Sequence, residues 1–150
     1  MTVDFAWGRA PAFRVASITR VGPWKPDNLR AEFRELTSWA KAQHARTGRW
    51  IFYERTPLRW EACLEVRGKP TPAGRIRLKT LPAVRVVRVV FDPDHLSSRI
   101  VYHGLHDWTR WRKKEGKIRG VSATREIYSG DPWTDAKAWA HCEVQFVVRP

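Results

Sequence analysis

No stretch of the chain approaches the roughly 18–20 consecutive apolar residues that a membrane-spanning helix needs. The start, MTVDFAWGRAPAF, lacks the basic and apolar regions of a secretory signal, so the expected setting is cytoplasmic. Cysteine is scarce. Cys63 and Cys142 are the only two, and neither stands in a CxxC or Cys/His spacing that would hold zinc. Without secretion they read as two reduced, packed thiols. His103 and His106 lie three apart on one helix, but spacing places no third ligand beside them. They read as a solvent-facing pair, and neither a metal nor a cofactor is expected. A GxSxG elbow, a Walker loop and a dinucleotide fingerprint are all missing. So are zinc-finger spacing, an RNP-like aromatic motif and a KH-type GxxG loop.

What remains is a chain of 150 residues with 43% hydrophobic and 29% charged residues, enough for one globular domain with a real core. Tryptophan is abundant, with nine residues against three tyrosines. Such large side chains are kept for packing or for stacking on a flat partner. The net charge is +13, split as +7 over residues 1–75 and +6 over 76–150. The charge is therefore spread, and a nucleic-acid partner is not favoured. The one dense cluster, RWRKKEGKIRG at 110–120, reads as a solvated basic helix end, where cations suit the helix dipole.

The chain repeats itself. FRELTSW (33–39) resembles YHGLHDW (102–108), IFYERTP (51–57) resembles EIYSGDP (126–132), and WEACLEV (60–66) resembles WAHCEVQ (139–145). The offsets of 69, 75 and 79 grow in order, as small insertions would make them. Upstream, ASITRV (16–21) resembles VRVVRV (84–89). Alternating, β-branched segments at 13–21, 49–54, 59–67, 75–79, 83–91, 122–128 and 137–148 read as strands, with a short one at 4–7. Apolar steps of 4, 3 and 4 through Leu29, Phe33, Leu36 and Ala40 mark a helix from Pro26. A second runs from about Pro93 to Lys114. The expected fold is α+β: a duplicated β-β-α-β-β repeat with pseudo-twofold symmetry, a concave antiparallel sheet of about eight strands, and two helices. The expected boundaries are repeat 1 at about 3–67, a linker at 68–74 and repeat 2 at about 75–148, all in one domain. A ligand crevice belongs where the halves meet.

Glu126 is the sharpest polar candidate. On a strand it shares a face with Thr124 and Tyr128, and the offset of 75 aligns it with the apolar Ile51. An interior carboxylate must be paired, hydrogen-bonded or shifted in pKa. Tyr53 and Tyr128 align with each other, and each reads either as a donor to Glu126 or a ligand, or as a packed core tyrosine. Trp39 and Trp108 follow Leu36 and Leu105 by three and read first as core. Trp60 and Trp139 align on strands, Trp24 sits at a turn near the expected mouth, and Trp111 and Trp133 are candidates for the rim. Glu54 and Glu61 read as exposed strand charges.

Taken together, VASITRVGPW, FRELTSWA, IFYERTP, ACLEV and REIYSGDP resemble the GyrI-like family, the effector-binding domain of AraC- and MerR-type regulators, which also occurs as a standalone protein. The resemblance covers roughly 13–148. It implies an aromatic-lined pocket at the repeat junction that takes bulky, often cationic or lipophilic compounds, with an acid of the second repeat's E-x-Y strand, here Glu126, deep inside. Two departures stand out. VVFDPDHL replaces the Gly-Pro turn in the second repeat, and both helices are used by the fold, leaving none for a DNA-reading helix-turn-helix.

Three functions are therefore set side by side. The first is binding of a cationic, aromatic or amphipathic small molecule for sensing or sequestration of xenobiotics, through Glu126, Tyr53, Tyr128, Trp24, Trp39, Trp60, Trp108 and Trp139. The second, which the resemblance also implies, is hydrolysis of strained electrophiles such as cyclopropanoids and epoxides. Glu126 would then be the general base, and Tyr53 or Tyr128 the hydroxyl partner. The third is interaction with an acidic partner such as gyrase, a nucleic acid or a separate transcription regulator.

Overall fold

A computed structural model describes residues 5–23 and 25–150. Eight strands and three helices follow one another as β1 (Ala6–Ala10), β2 (Phe13–Val21), α1 (Pro26–Ala42), β3 (Thr47–Thr56), β4 (Arg59–Val66), β5 (Arg77–Leu81), β6 (Val84–Phe91), α2 (Ser98–Lys114), β7 (Gly120–Tyr128), α3 (Ala136–Ala140) and β8 (Cys142–Arg149). All strands join one antiparallel sheet in the order β1-β6-β8-β7-β3-β4-β2-β5. Read from its two ends, that order is one four-stranded arrangement met twice, with the pseudo-twofold axis between β3 and β7. The first strand of each half crosses to the edge of the other: β1 pairs with β6, and β5 with β2.

The helices form where the apolar spacing places them. Pro26 opens α1, and its buried stripe is Leu29, Phe33, Leu36, Trp39 and Ala40. The stripe of α2 is Val101, Leu105 and Thr109, and its last turn carries Arg112, Lys113 and Lys114, which suits the negative end of the helix dipole. The second helix begins later than the sequence reading placed it. At Pro93 the chain turns instead, held by the Asp94 amide donating to the Asp92 carboxylate (2.9 Å). Both long helices cover one face of the sheet, each over its own half. The opposite face buries strand residues against one another, among them Phe13, Val15, Ile51, Leu81 and Ile127, because the sheet curls into a half-barrel.

Register corrects the residue-level matching of the two halves. Ile18, Ala62 and Phe52 are successive cross-strand partners, as are Val89, Val144 and Glu126, and Phe52 pairs directly with Glu126. The symmetric partner of Glu126 is thus Phe52, at an offset of 74, not Ile51, which lies on the other face. For Ala62 and Val144 the offset is 82. The jump of eight is the insertion between β7 and β8, which carries α3. Residues 137–140, read from the sequence as the start of the last strand, belong to that helix and its end.

Glu61 is another correction. Far from exposed, it is 2% exposed on the curled face. It accepts from Thr19 and pairs with Lys79 and Arg55. Burial pushes its carboxyl up, but the Lys79 hydrogen bond and charge, with help from Arg55, hold it below the ordinary value.

Candidate functional site

Glu126 interrupts an apolar row. Across the helix-covered face the row reads Ile18, Ala62, Phe52, Glu126, Val144, Val89, with one carboxylate among five hydrocarbons near the axis. Both of its oxygens are engaged. The Tyr102 hydroxyl donates to Oε1 (2.5 Å) and the Tyr128 hydroxyl to Oε2 (3.0 Å). Tyr102 comes from α2, whereas Tyr128 follows Glu126 on β7, so helix and strand clamp the acid between them. Burial first, and then the charge of Glu126, push both tyrosine hydroxyls well above their ordinary pKa. They remain protonated donors.

A cavity of about 580 Å³ opens over this row. Its sheet side is Phe52, Glu126, Tyr128 and Cys142, and Leu29 and Phe33 come from α1. The inserted β7–β8 connection supplies Trp133 and Trp139. The corresponding connection in the first half is only the Pro57-Leu58 turn between β3 and β4, so the insertion makes the cavity asymmetric. It is locally well held. The Asp131 carboxylate accepts from the Trp133 amide (2.8 Å), that of Asp135 from the Lys137 amide (2.9 Å), and that of Asp94 from the Trp139 indole (2.9 Å). The Trp139 ring lies parallel to that of Tyr128, with centroids 6.4 Å apart. Trp133 leans across to the first half, 6.2 Å from Phe33 and 6.3 Å from Trp50, with the Arg30 guanidinium 6.0 Å from its ring.

Two further ionisable groups feel the acid. Burial, and then the charge of Glu126, push the Cys142 thiol up to about 12, so it stands as a neutral thiol and not as a nucleophilic thiolate. Burial and Glu126 also raise the Glu54 carboxyl. No group of three or more His, Cys, Asp or Glu able to hold a metal occurs among the described residues.

The expected residues are divided by this geometry. Glu126, Tyr128, Trp133 and Trp139 meet at the cavity. Tyr53 does not. It pairs with Arg125 in the β3–β7 register and faces the curled side, with the Arg55 and Arg125 guanidinium groups 4.9 and 5.9 Å from its ring. Trp60, fully buried, meets Phe52 edge-on at 5.8 Å in the core. Trp39 is core as well, its indole donating to the Thr71 carbonyl (2.9 Å). Trp108 lies at a separate depression and Trp111 is exposed. Trp24 falls outside the described residues. The sequence reading missed Tyr102. Tyr102 lies beside the buried stripe of α2, partly buried against the core of the second half, but its partner Glu126 is on a strand 24 residues away.

One antiparallel half-barrel of eight strands, a long helix in each half and a cavity at their junction make up the GyrI-like fold. No protein-family model matches the chain, and no curated protein is significantly similar to it. Solved structures do match. The EcmrR C-terminal domain aligns over 99% of both chains with 20% identity and a TM-score of 0.75. In the EcmrR–DNA complex, 97% of this chain aligns with 57% of the EcmrR chain, at 21% identity and a TM-score of 0.73. A hydrolase encoded by lin2189 from Listeria innocua aligns over 98% of this chain and 92% of its own, with 9% identity and a TM-score of 0.64. SAV2435, bound to tetraphenylphosphonium, aligns over 97% and 94%, with 8% identity and a TM-score of 0.55. Likeness at these identities establishes the fold alone. No helix among the described residues is long and apolar enough to cross a membrane.

Proposed function

We propose that the protein binds a lipophilic, aromatic or amphipathic cation in the Glu126 cavity, to sense or sequester such compounds in the cytoplasm. One observation carries the reading: a carboxylate held by two tyrosine hydroxyls is the one charged group among the described lining residues, in a wall of hydrocarbon and aromatic rings with Ser97, Ser98 and Cys142 beside them. An anion in apolar surroundings costs several kcal/mol unless compensated. The tyrosines offset part of that cost, and a cation offsets the rest. Each aromatic ring facing the cation adds about 0.5–2 kcal/mol. The tetraphenylphosphonium held by SAV2435 supports this choice of ligand, and EcmrR bound to DNA supports a sensing role.

Titration with tetraphenylphosphonium, followed by tryptophan fluorescence, tests the reading. Wild type is expected to bind, and Glu126→Gln to bind at least about tenfold more weakly, since loss of a desolvated charge partner costs more than 1.4 kcal/mol. Equal affinities sink the proposal.

A second reading is hydrolysis of a strained electrophile such as an epoxide or cyclopropanoid. The adjacency of a carboxylate and two protonated tyrosine hydroxyls favours it, as does the Listeria innocua hydrolase of this fold. In it, Glu126 takes a proton from water as the water oxygen bonds to a ring carbon, the strained ring bond breaks, Tyr102 or Tyr128 protonates the leaving atom, and the tyrosine regains its proton from Glu126. Binding ranks first because each carboxylate oxygen already accepts a tyrosine hydrogen bond, which uses one of its two acceptor sites and leaves fewer for a base. Mass-spectrometric detection of water addition by wild type, lost in Glu126→Gln while binding persists, would reverse that order.

A further inference from the structure

We infer that the protein has a second binding site, away from Glu126, that takes a nucleotide unit: an aromatic base carrying a phosphate. The site is a depression of about 390 Å³ lined by Trp7, Arg85, Trp108, Arg112, Lys117 and Ile118. It lies where the edge strand β1 meets the C-terminal half of α2. Trp7 and Trp108 are ring neighbours at 5.3 Å, and Trp7 is 44% exposed on the sheet edge. The Arg85 guanidinium lies 6.0 Å from the Trp7 ring, and that of Arg112 lies 5.2 Å from Trp108. The basic cluster 110–120, which reads from the sequence as a solvated helix end, thus supplies two of the cations that flank an aromatic pair.

Comparison of the two halves shows that this opening is not a feature of the fold. The cross-strand pairs Ala16–Leu78 and Val87–Trp7 correspond at an offset of 71, so Trp7 matches Leu78. The helices correspond at 69, where the buried Val101, Leu105 and Thr109 of α2 fall on the buried Glu32, Leu36 and Ala40 of α1, so Trp108 matches Trp39 and Arg112 matches Gln43. In the first half Trp39 is buried and Leu78 packs against the core. The linker closes over them, with Ile76 buried and Thr71 accepting from the Trp39 indole. In the second half the helix tryptophan is kept as Trp108, but Trp7, 44% exposed, stands where the first half has Leu78, and Arg112 stands where it has Gln43.

The chemistry selects the occupant. Exposed indoles stack on flat rings, and guanidinium groups beside them bind phosphate. Among the described residues, Glu115 beside the rim pairs with Arg112 (3.2 Å) and Lys117 (3.1 Å). With Arg85, Arg112 and Lys117 against Glu115, the rim keeps an excess of two positive charges. A cation such as the Glu126 ligand is repelled here, whereas an aromatic anion is attracted.

Adenosine monophosphate and a labelled ten-residue single-stranded oligonucleotide, each titrated into the full chain at about 50 mM salt, test the inference. At least one is expected to bind. Binding of the mononucleotide points to a free nucleotide, and binding of the oligonucleotide alone points to a nucleic-acid strand. Trp7→Ala and Arg112→Ala should each weaken binding roughly tenfold, as loss of one stacking or phosphate contact does. Trp7→Phe should retain most of it, and Glu126→Gln should leave it unchanged, which separates this site from the cation cavity. Circular dichroism confirms that the variants are folded. Absence of binding by both probes overturns the inference. So does oligonucleotide binding that Trp7→Ala leaves intact, because that is charge attraction without a site.

Discussion

Phe52 and Glu126 face each other across the β3–β7 pair and occupy the same position of the two repeats. The pseudo-twofold axis runs between them, so symmetry demands like residues and the sequence supplies a benzyl group and a carboxylate. The acid is the point at which the duplicated halves diverge. The insertion that adds Trp133 and Trp139 lies on the strand connection that follows it.

The tyrosine clamp gives the first prediction. Tyr102→Phe or Tyr128→Phe leaves one Glu126 oxygen without its donor. Each change should lower stability by about 1–3 kcal/mol, the cost of a lost hydrogen bond to a half-buried charged group. Urea denaturation without ligand measures this. An unchanged midpoint for both variants would show that the hydroxyls do not support the acid.

Trp60 gives the second. It is fully buried, and its indole nitrogen has no hydrogen-bond partner. Trp60→Phe removes that unsatisfied donor together with some volume, and the two effects should nearly cancel, within about 1 kcal/mol. Trp60→Ala should cost about 3–5 kcal/mol. Neither should alter the charge selectivity of the cavity, because Trp60 does not line it.

Glu61 on the curled face contributes to the loss of stability in acid. The Glu61 carboxyl is held below its ordinary value of 4.5, burial opposing and Lys79 and Arg55 prevailing. Its contribution is full above that value and is lost as the pH falls through the lowered folded-state pKa. Lys79→Met should remove most of this dependence, seen as a shallower loss of the urea midpoint between about pH 5 and 3.

The thiols contribute an alkaline dependence. Burial, and then the charge of a neighbouring glutamate, raise Cys63 and Cys142 from 9.0 to about 12. Their protonated forms favour the folded state, so this contribution is full below about pH 9 and is lost as the pH rises towards 12. At pH 8 a thiol reagent should modify neither cysteine in native protein and both in urea. Rapid modification of native Cys142 would contradict its placement against Glu126 and Tyr128.

Much of this architecture was legible in the sequence. Period-two and period-3.6 patterns locate seven strands and both long helices, because each has one buried face. The pairing of the halves was legible in kind but not in register. Cys63 and Cys142 look equivalent in the sequence, yet the eight-residue insertion makes Glu61 the true counterpart of Glu143, and Cys63 that of Gln145. An odd error in offset moves a strand residue to the other face, which is how Tyr53 came to be grouped with Tyr128. The short α3 was hidden because five residues carry too little periodicity. Tyr102 was hidden because contact between a helix and a strand leaves no local spacing.

The role of Glu126 as a counter-charge is best examined through charge selectivity. Affinities for tetraphenylphosphonium and for the neutral, similarly shaped triphenylphosphine oxide should be measured calorimetrically on wild type and Glu126→Gln. Wild type is expected to prefer the cation by at least about tenfold, and the variant to show little preference while still binding the neutral compound through its aromatic wall. Equal preference for the cation in both proteins would mean that Glu126 does not hold the charge.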